Sequence, residues 1–127
     1  MRTAALAIVA ALFAAHSAHA QPVCTPPAKE MARTELFFGA ERVSAAQWRA
    51  FLAHDVTPRF PSGLTALEGY GQWRAPDGRI AAEKSRVLLI WHGDDEGGKI
   101  DAIRDAYKAR FHQLSVMRVD GSDCVSF

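Results

Sequence analysis

The sequence lacks the charge bias and the long apolar runs that would direct it to nucleic acid or into a membrane. Its 15 Lys and Arg residues are balanced by 14 Asp and Glu residues. Proteins that bind nucleic acid or an anionic membrane surface cluster their basic residues, and no such cluster occurs here. Beyond residue 20 no apolar run approaches the roughly twenty residues that span a bilayer. We therefore expect neither a nucleic-acid partner nor a membrane span in the mature chain.

Motifs for cofactor, metal or nucleophile chemistry are also missing. Gly69-Tyr70-Gly71 matches half of a dinucleotide-binding loop, but Arg74 stands where the third glycine belongs and no helix follows. The two glycines instead predict close approach of an aromatic ring or a helix to a strand. Asp94-Asp95-Glu96 lacks the alternating oxygen ligands of a calcium loop. The three histidines beyond residue 20 form no pair at ligand spacing. We predict no metal site and no cofactor.

The first twenty residues have the pattern of a secretory signal peptide. Arg2 provides a positive start, Ala4–Ala15 form a short apolar run, and Ala18-His19-Ala20 fits the small-x-small cleavage motif. We expect cleavage near Ala20 and export to a bacterial periplasm or the medium. The remaining 107 residues carry no formal net charge and suit a single domain. The predicted segments are a signal peptide (1–20), a proline-rich arm (21–32) and one α+β domain (33–127).

Two cysteines, Cys24 and Cys124, follow the signal peptide. In an oxidising compartment they allow a single intramolecular bridge. Two free thiols or an intermolecular bridge are the alternatives. We predict the intramolecular disulfide because unpaired thiols are unusual in exported proteins, and a structural role for it because no C-x-x-C motif is present.

Apolar periodicity predicts two amphipathic helices separated by a hairpin. A short strand over Arg33–Gly39 precedes a helix that begins at Ser44, where Ser44 and Gln47 form a capping box. Pro58 ends this helix because it forces the preceding residue out of the helical conformation. A final strand is predicted over roughly Ser115–Val119. Five residues trace the apolar side of the second helix: Ile100, Ile103, Tyr107, Phe111 and Leu114.

The segment from Gly63 to His92 is predicted to be one long β-hairpin. Proline, aspartate and glycine in Ala75-Pro76-Asp77-Gly78 favour a tight turn. Paired residue numbers then sum to 154, which places Glu68 opposite Arg86. This match of charges supports the register, whereas a slip by one residue would exchange the two faces.

The element order β-α-β-β-α-β is that of the ferredoxin-like fold, an α+β fold. It predicts a four-stranded antiparallel sheet with both helices on one face and the other face uncovered. Val87–Trp91 is apolar on both sides, which indicates that neither face of this strand meets bulk water. We expect Leu88 and Ile90 on the uncovered face, with Phe37 and Val116 beside them. Either a second copy of the protein or a ligand would cover that face.

Five segments carry a family resemblance: TELFFG (Thr34–Gly39), VTPRFPSGLT (Val56–Thr65), GYGQWR (Gly69–Arg74), SRVLLI (Ser85–Ile90) and CVSF (Cys124–Phe127). They resemble a family of small exported bacterial proteins known only as a domain of unknown function. The resemblance spans about Cys24 to Phe127 and implies one compact secreted domain. It implies no activity, so no catalytic residue is carried over from it.

The first candidate site is a polar cluster expected on the uncovered face: Glu68, Tyr70, Gln72, Arg86 and His92, with Glu35 and Arg118 as further members. Arginine binds carboxylates in a bidentate manner and histidine transfers protons near neutral pH. A cross-strand ion pair and the polar rim of a dimer interface explain the same residues without a site. We prefer this second interpretation, because nothing else in the sequence requires catalysis.

The second candidate site is Arg59, held between Pro58 and Pro61. A rigid loop with one cation can bind an anion. Proline also preorganises helix-to-strand connections for stability alone, and we prefer this simpler interpretation.

Two functions from different classes fit the sequence. The first is a non-catalytic module that binds a small molecule or a partner and forms a homodimer through its open sheet face. The second is a cofactor-free enzyme of the dimeric α+β barrel type. In that enzyme Arg86 would anchor an acidic substrate, and His92 or Glu68 would act as general base. The enzyme hypothesis rests on fold analogy alone.

Overall fold

A computed structural model describes residues 23–127, so the predicted signal peptide and its cleavage site lie outside the described residues. The elements follow the predicted order: β1 (Lys29–Gly39), α1 (Ala45–Phe51) with a π-helical extension (Leu52–Val56), β2 (Thr65–Arg74), β3 (Ile80–His92), a 3₁₀ turn (Asp94–Glu96), α2 (Gly97–Phe111) and β4 (Met117–Val125). Among these residues no helix is both long and apolar enough to cross a bilayer.

The four strands form one antiparallel sheet in the order β2-β3-β1-β4. With two helices joining its strands, this sheet confirms the predicted ferredoxin-like α+β fold. β1 begins at Lys29, inside the segment interpreted as a proline-rich arm, because Lys29 and the residues after it pair with the end of β4 at Val125.

The local signals for the hairpin and for the start of α1 are confirmed. Glu68 pairs with Arg86 across β2 and β3, as the sum of 154 requires. Gly78 adopts a φ of +83°, which a side chain would disfavour, and its N–H donates to Ala75 O at 2.9 Å. At α1, Gln47 N donates to Ser44 Oγ at 3.2 Å and Ser44 N donates to Gln47 Oε1 at 2.9 Å.

The second helix is shorter than its apolar pattern predicted. It ends at Phe111, because His112 adopts a left-handed conformation with φ of 53°. Leu114 lies beyond the helix and is fully exposed. Its assignment to the apolar side of α2 was therefore wrong.

The core lies between the helices and the side of the sheet that carries Leu36, Phe38, Leu88 and Ile90, all of which are fully buried. Leu36 stands directly opposite Leu88 in the β1–β3 pair. The ring of Phe38 packs against three aromatic rings from the helices, at centroid distances of 4.6, 5.3 and 6.1 Å, those of Tyr107, Trp48 and Phe51.

This packing corrects the predicted assignment of the sheet faces. Leu88 and Ile90 lie beneath the helices, because they share a face with Phe38, which holds the aromatic residues of α1 and α2. Val116 is also buried in the core. Of the four residues expected on the uncovered face, Phe37 alone lies there.

The predicted disulfide is confirmed: Cys24 and Cys124 are bonded, with their Cα atoms 5.4 Å apart. Cys124 lies in β4, opposite Glu30 of β1. The bridge therefore fastens the segment that enters the first strand to the last strand of the sheet.

Candidate functional site

The sheet face opposite the helices, called here the open face, carries a continuous apolar surface. Its large apolar residues come from all four strands: Phe37, Leu67, Trp73, Val87, Leu89, Trp91, Met117 and Val119. Leu67 is 47% exposed and Met117 is 56% exposed. Large contiguous apolar patches on soluble domains mark interaction sites, so this surface is the candidate functional site.

The centre of the open face consists of two neighbouring rows of side chains, called here the central rows. Their members are Leu67, Val87, Phe37 and Met117 in the first row, and Thr65, Leu89, Glu35 and Val119 in the second. Strands in a sheet lie about 4.8 Å apart, so each row forms an unbroken strip. Glu35 is the only charged member of the central rows, and its carboxylate is paired with Arg33 at 3.2 Å.

One end of the open face is bulky and held by polar contacts. The indole Nε1 of Trp91 donates to Asp123 Oδ2 at 2.9 Å, and Arg33 Nη1 lies 3.0 Å from the same oxygen. Trp91 remains 37% exposed. Its ring therefore stands on the face in a fixed position.

The other end of the open face is a groove of about 530 Å³. Gly39, Gly69 and Gly71 contribute no side chains there, and Leu114 stands at its edge. A Cβ at Gly69 would lie 2.4 Å from Ser85 Oγ, so a side chain there would require the serine hydroxyl to move. A Cβ at Gly71 would meet only ordinary contacts, the nearest at 3.7 Å.

The predicted polar cluster lies on the helix side of the sheet, not on the open face. Glu68, Tyr70, Gln72, Arg86 and His92 share that side with Leu88, which the helices cover. Because these residues are polar, we had expected them on the uncovered face. The distal part of the hairpin carries solvent-exposed residues on the helix side as well, so a polar residue there does not identify the open face.

Arg86 and Glu68 pair with each other beside a cleft of about 600 Å³. The Arg86 guanidinium lies 5.9 Å from the centre of the Trp48 ring, a cation–π contact. The Glu68 side chain is 81% exposed, and Tyr70 and Gln72 are exposed farther along the hairpin. Arg86 is therefore occupied by an aromatic ring and a carboxylate of its own chain.

His92 belongs to a different, buried network. Its Nε2 lies 2.9 Å from Thr34 Oγ1 and its Nδ1 lies 2.7 Å from Gly93 O. Thr34 Oγ1 donates to Asp120 Oδ1 at 2.7 Å. His92 is six residues from Arg86 on one strand, a separation of about 20 Å. Of the two general bases that the enzyme hypothesis offered, His92 therefore lies too far from Arg86 to act on the same small substrate, and Glu68 is the one that lies beside it.

Arg118 and Glu35 do not join the predicted cluster either. Arg118 contacts Asp120 at 2.9 Å and Asp101 at 3.1 Å on the helix side, whereas Glu35 lies on the open face. Burial would raise the pKa of Asp120, but hydrogen bonds from Thr34 and Arg118 hold it below its usual value. The hydrogen bond from Arg104 lowers the pKa of Asp101.

Arg59 lies near His92, in a cleft of about 120 Å³. The Arg59 guanidinium donates to Asp55 O at 2.6 Å, which stabilises the connection after α1. Pockets for small ligands usually have volumes of roughly 300–1,000 Å³, so this cleft is small for one. Within residues 23–127, no three His, Cys, Asp or Glu side chains group as metal ligands.

Solved structures similar to this chain show the same fold. A phage SAM lyase in complex with S-methyl-5'-thioadenosine has 14% sequence identity and a TM-score of 0.52, with 75% of this chain and 90% of that chain covered. CutA from Synechococcus elongatus has 9% identity and a TM-score of 0.53, with coverage of 76% and 80%. At such identities the similarity supports the fold alone.

The sequence comparisons give a family without an activity. No curated protein matches the sequence. Residues 33–127 match the family described as "Protein of unknown function (DUF3574)", which confirms the resemblance carried by the five segments. The chain belongs to this DUF3574 family of proteins of unknown function.

Proposed function

We propose that this domain is a non-catalytic self-association module, in which the open face of one copy covers the open face of a second copy. The observation that supports the proposal is the apolar surface that extends over all four strands without a helix above it. Isologous contacts of this kind give closed homodimers, the commonest form of protein assembly.

The size of the open face suits a dimer interface. Four strands about 4.8 Å apart and a length of ten residues at about 3.4 Å each give a surface of roughly 650 Å². A standard interface buries about 800 Å² on each partner. The face is therefore slightly smaller than the average interface and lies above the lower end of the range, about 600 Å² on each partner.

A small molecule is a poorer occupant for the whole face. Pockets for small ligands bury roughly 70–90% or more of the ligand's surface. The central rows form an open surface, so a ligand lying on them would keep one side in water. A second sheet excludes water from both surfaces at once, because stacked sheets interdigitate about 10 Å apart.

The enzyme hypothesis has little support from the geometry. Arg86 is paired with Glu68, and both ring nitrogens of His92 contact groups of their own chain. We also propose that the domain is exported, on the signal-peptide pattern of residues 1–20 and on the disulfide, since disulfides persist in oxidising compartments.

A matched pair of lysine substitutions tests the self-association. Val119→Lys places a charge on the open face, and Ile80→Lys places one at an exposed apolar residue on the helix side of the hairpin. Light scattering should give the mass of two chains for the wild type and for Ile80→Lys, and of one chain for Val119→Lys. A Val119→Lys protein that keeps the wild-type dimer affinity would contradict the use of this face.

A further inference from the structure

We propose that Trp91 of each copy inserts into the groove of the other copy, at Ser85 and its cross-strand neighbours Gly39 and Gly69. This inference rests on the proposed self-association and specifies its geometry. The two sheets would be related by a twofold axis that lies between them and runs across the strands. The bulky end of one open face then meets the groove end of the other.

The apolar centre of the open face determines where the axis lies. An isologous interface places the same surface on both sides of the axis, and the apolar residues concentrate in the central rows. An axis between those rows sets Val87 over Leu89 of the second copy and Met117 over Val119 of the second copy. Apolar side chains then cover one another across two of the strands.

The same axis brings Trp91 to the groove. On β3 the axis passes level with residue 88, so Ser85, three residues before it, faces Trp91, three residues after it. The strands of two packed sheets cross at about 30°. Trp91 lies about 10 Å along its strand from the axis, so this crossing shifts it sideways by about 5 Å, which is one strand spacing. Trp91 therefore lies over Ser85 or over a flanking glycine, Gly39 or Gly69. All three line the groove.

The two surfaces have complementary shapes. The hydrogen bond to Asp123 holds the exposed indole in place, so little rotamer freedom is lost when it inserts. Glu83 and Gln113 stand beside Gly39 in the groove, and Phe37, Val87 and Met117 offer it a ring, branched carbons and a sulfur atom. Such groups make favourable contacts with an aromatic side chain. Tryptophans that fill a pocket near the centre of an interface commonly dominate its affinity.

Gly71 supports an occupant from outside the chain. A glycine within a strand weakens it and often marks a place where another group approaches closely. Gly71 does not have the positive φ found at Gly63 and Gly78, and a side chain there would meet no close contact within the chain. Neither the backbone nor the packing of the single chain requires a glycine at this position.

Trp73 provides a matched control on the same open face. It is 49% exposed and pairs with Ala81 at the distal end of the hairpin. Ala81 lies seven residues before the level of the axis on β3. The position of the second copy that would face it lies seven residues after that level, which is past the end of β3 at His92. In this arrangement Trp73 therefore makes no contact with the strands of the second copy.

The test compares the dimer dissociation constants of Trp91→Ala and Trp73→Ala, measured by sedimentation on protein expressed as the full chain. We expect Trp91→Ala to raise Kd by at least about 30-fold, the effect of a strong interface contact, and Trp73→Ala to raise it less than about threefold. Equal effects of the two substitutions, or none from Trp91→Ala, would overturn the inference while leaving self-association intact. A monomeric wild type would overturn both.

A substitution in the groove keeps the test valid if Trp91→Ala lowers stability. Gly71→Leu places a side chain in the groove at a position where a Cβ would make only ordinary van der Waals contacts. We expect it to raise Kd by a factor similar to that of Trp91→Ala. The Trp91→Ala/Gly71→Leu double variant should dimerise no more weakly than the single variant with the higher Kd. Each change by itself already prevents Trp91 from filling the groove, so the second change adds nothing. Multiplying effects would show that Trp91 and the groove act independently of each other, and would contradict the inference.

Discussion

Thr34 and His92 are joined by a buried hydrogen bond of 2.9 Å between Oγ1 and Nε2, at the boundary between β1 and β3. The same threonine hydroxyl donates to Asp120 of β4 at 2.7 Å. One small side chain thus connects three strands of the sheet. Thr34 and His92 are buried, whereas the Asp120 carboxylate at the end of this network is half exposed.

Thr34→Val should destabilise the domain. Valine keeps the shape of threonine but removes the hydroxyl, which leaves the buried imidazole of His92 without this partner and removes one hydrogen bond to the half-exposed Asp120 carboxylate. We expect the free energy of unfolding to fall by about 1–3 kcal/mol, measured by urea denaturation. Thr34→Ser keeps the hydroxyl and should lose less. A Thr34→Val protein as stable as the wild type would show that these hydrogen bonds contribute nothing net.

Asp120 should make stability depend on pH in the acid range. Although burial acts to raise its pKa, hydrogen bonds from Thr34 and Arg118 keep that pKa below the value of about 3.9 for an unfolded chain. Such a carboxylate stabilises the fold above the unfolded pKa, and this stabilisation is lost as the pH falls through the folded pKa. The stability difference between wild type and Asp120→Asn should therefore be largest above about pH 5 and shrink below about pH 4. A difference that stays constant over this range would contradict the assignment.

Tyr107 should ionise at unusually high pH. Burial raises the pKa of Tyr107 to about 12, and its hydroxyl donates to Gly39 O at 2.7 Å. We expect a step near pH 12 in the tyrosinate absorbance of the wild type that is missing in Tyr107→Phe. The associated stability is fully present below about pH 10, the unfolded value, and is lost as the pH rises through the folded pKa. A Tyr107 step that is complete by pH 10 would contradict its burial.

The disulfide should stabilise the domain without being required for folding. Replacing both Cys24 and Cys124 by serine removes a cross-link between residues 100 positions apart. We expect a loss of about 2–4 kcal/mol in unfolding free energy. The buried core contains neither cysteine, so the circular dichroism spectrum of the folded state should persist. An unfolded double variant would show that the core is insufficient by itself.

Sequence patterns predicted the fold where local chemistry determined it. The turn at Ala75–Gly78 fixed the register of the hairpin, and the Ser44–Gln47 capping box fixed the start of α1. Both depend on residues a few positions apart, which act in the same way in any tertiary context. The end of α2 was missed because His112 adopts the left-handed conformation that glycine usually provides.

The candidate site was assigned to the wrong side of the sheet for a tertiary reason. Residues 87–91 of β3 are apolar on both faces, so the alternation along the strand did not identify the side that the helices cover. The polar residues Glu68, Tyr70 and Gln72 suggested solvent on their side, but Glu68 lies at the edge of the helix layer, and Tyr70 and Gln72 lie in the distal part of the hairpin, where the helix side is also exposed. The better signal was Phe38, because the aromatic residues of both helices gather around it.

Sedimentation equilibrium of the wild-type protein over a wide range of concentrations tests the central claim most directly. The account predicts a single monomer–dimer equilibrium, with the mass of two chains at high concentration and dissociation on dilution. The same experiment with Val119→Lys should give one chain throughout, since a lysine charge would be buried between the two open faces. A wild type that remains a monomer at every concentration would contradict the account.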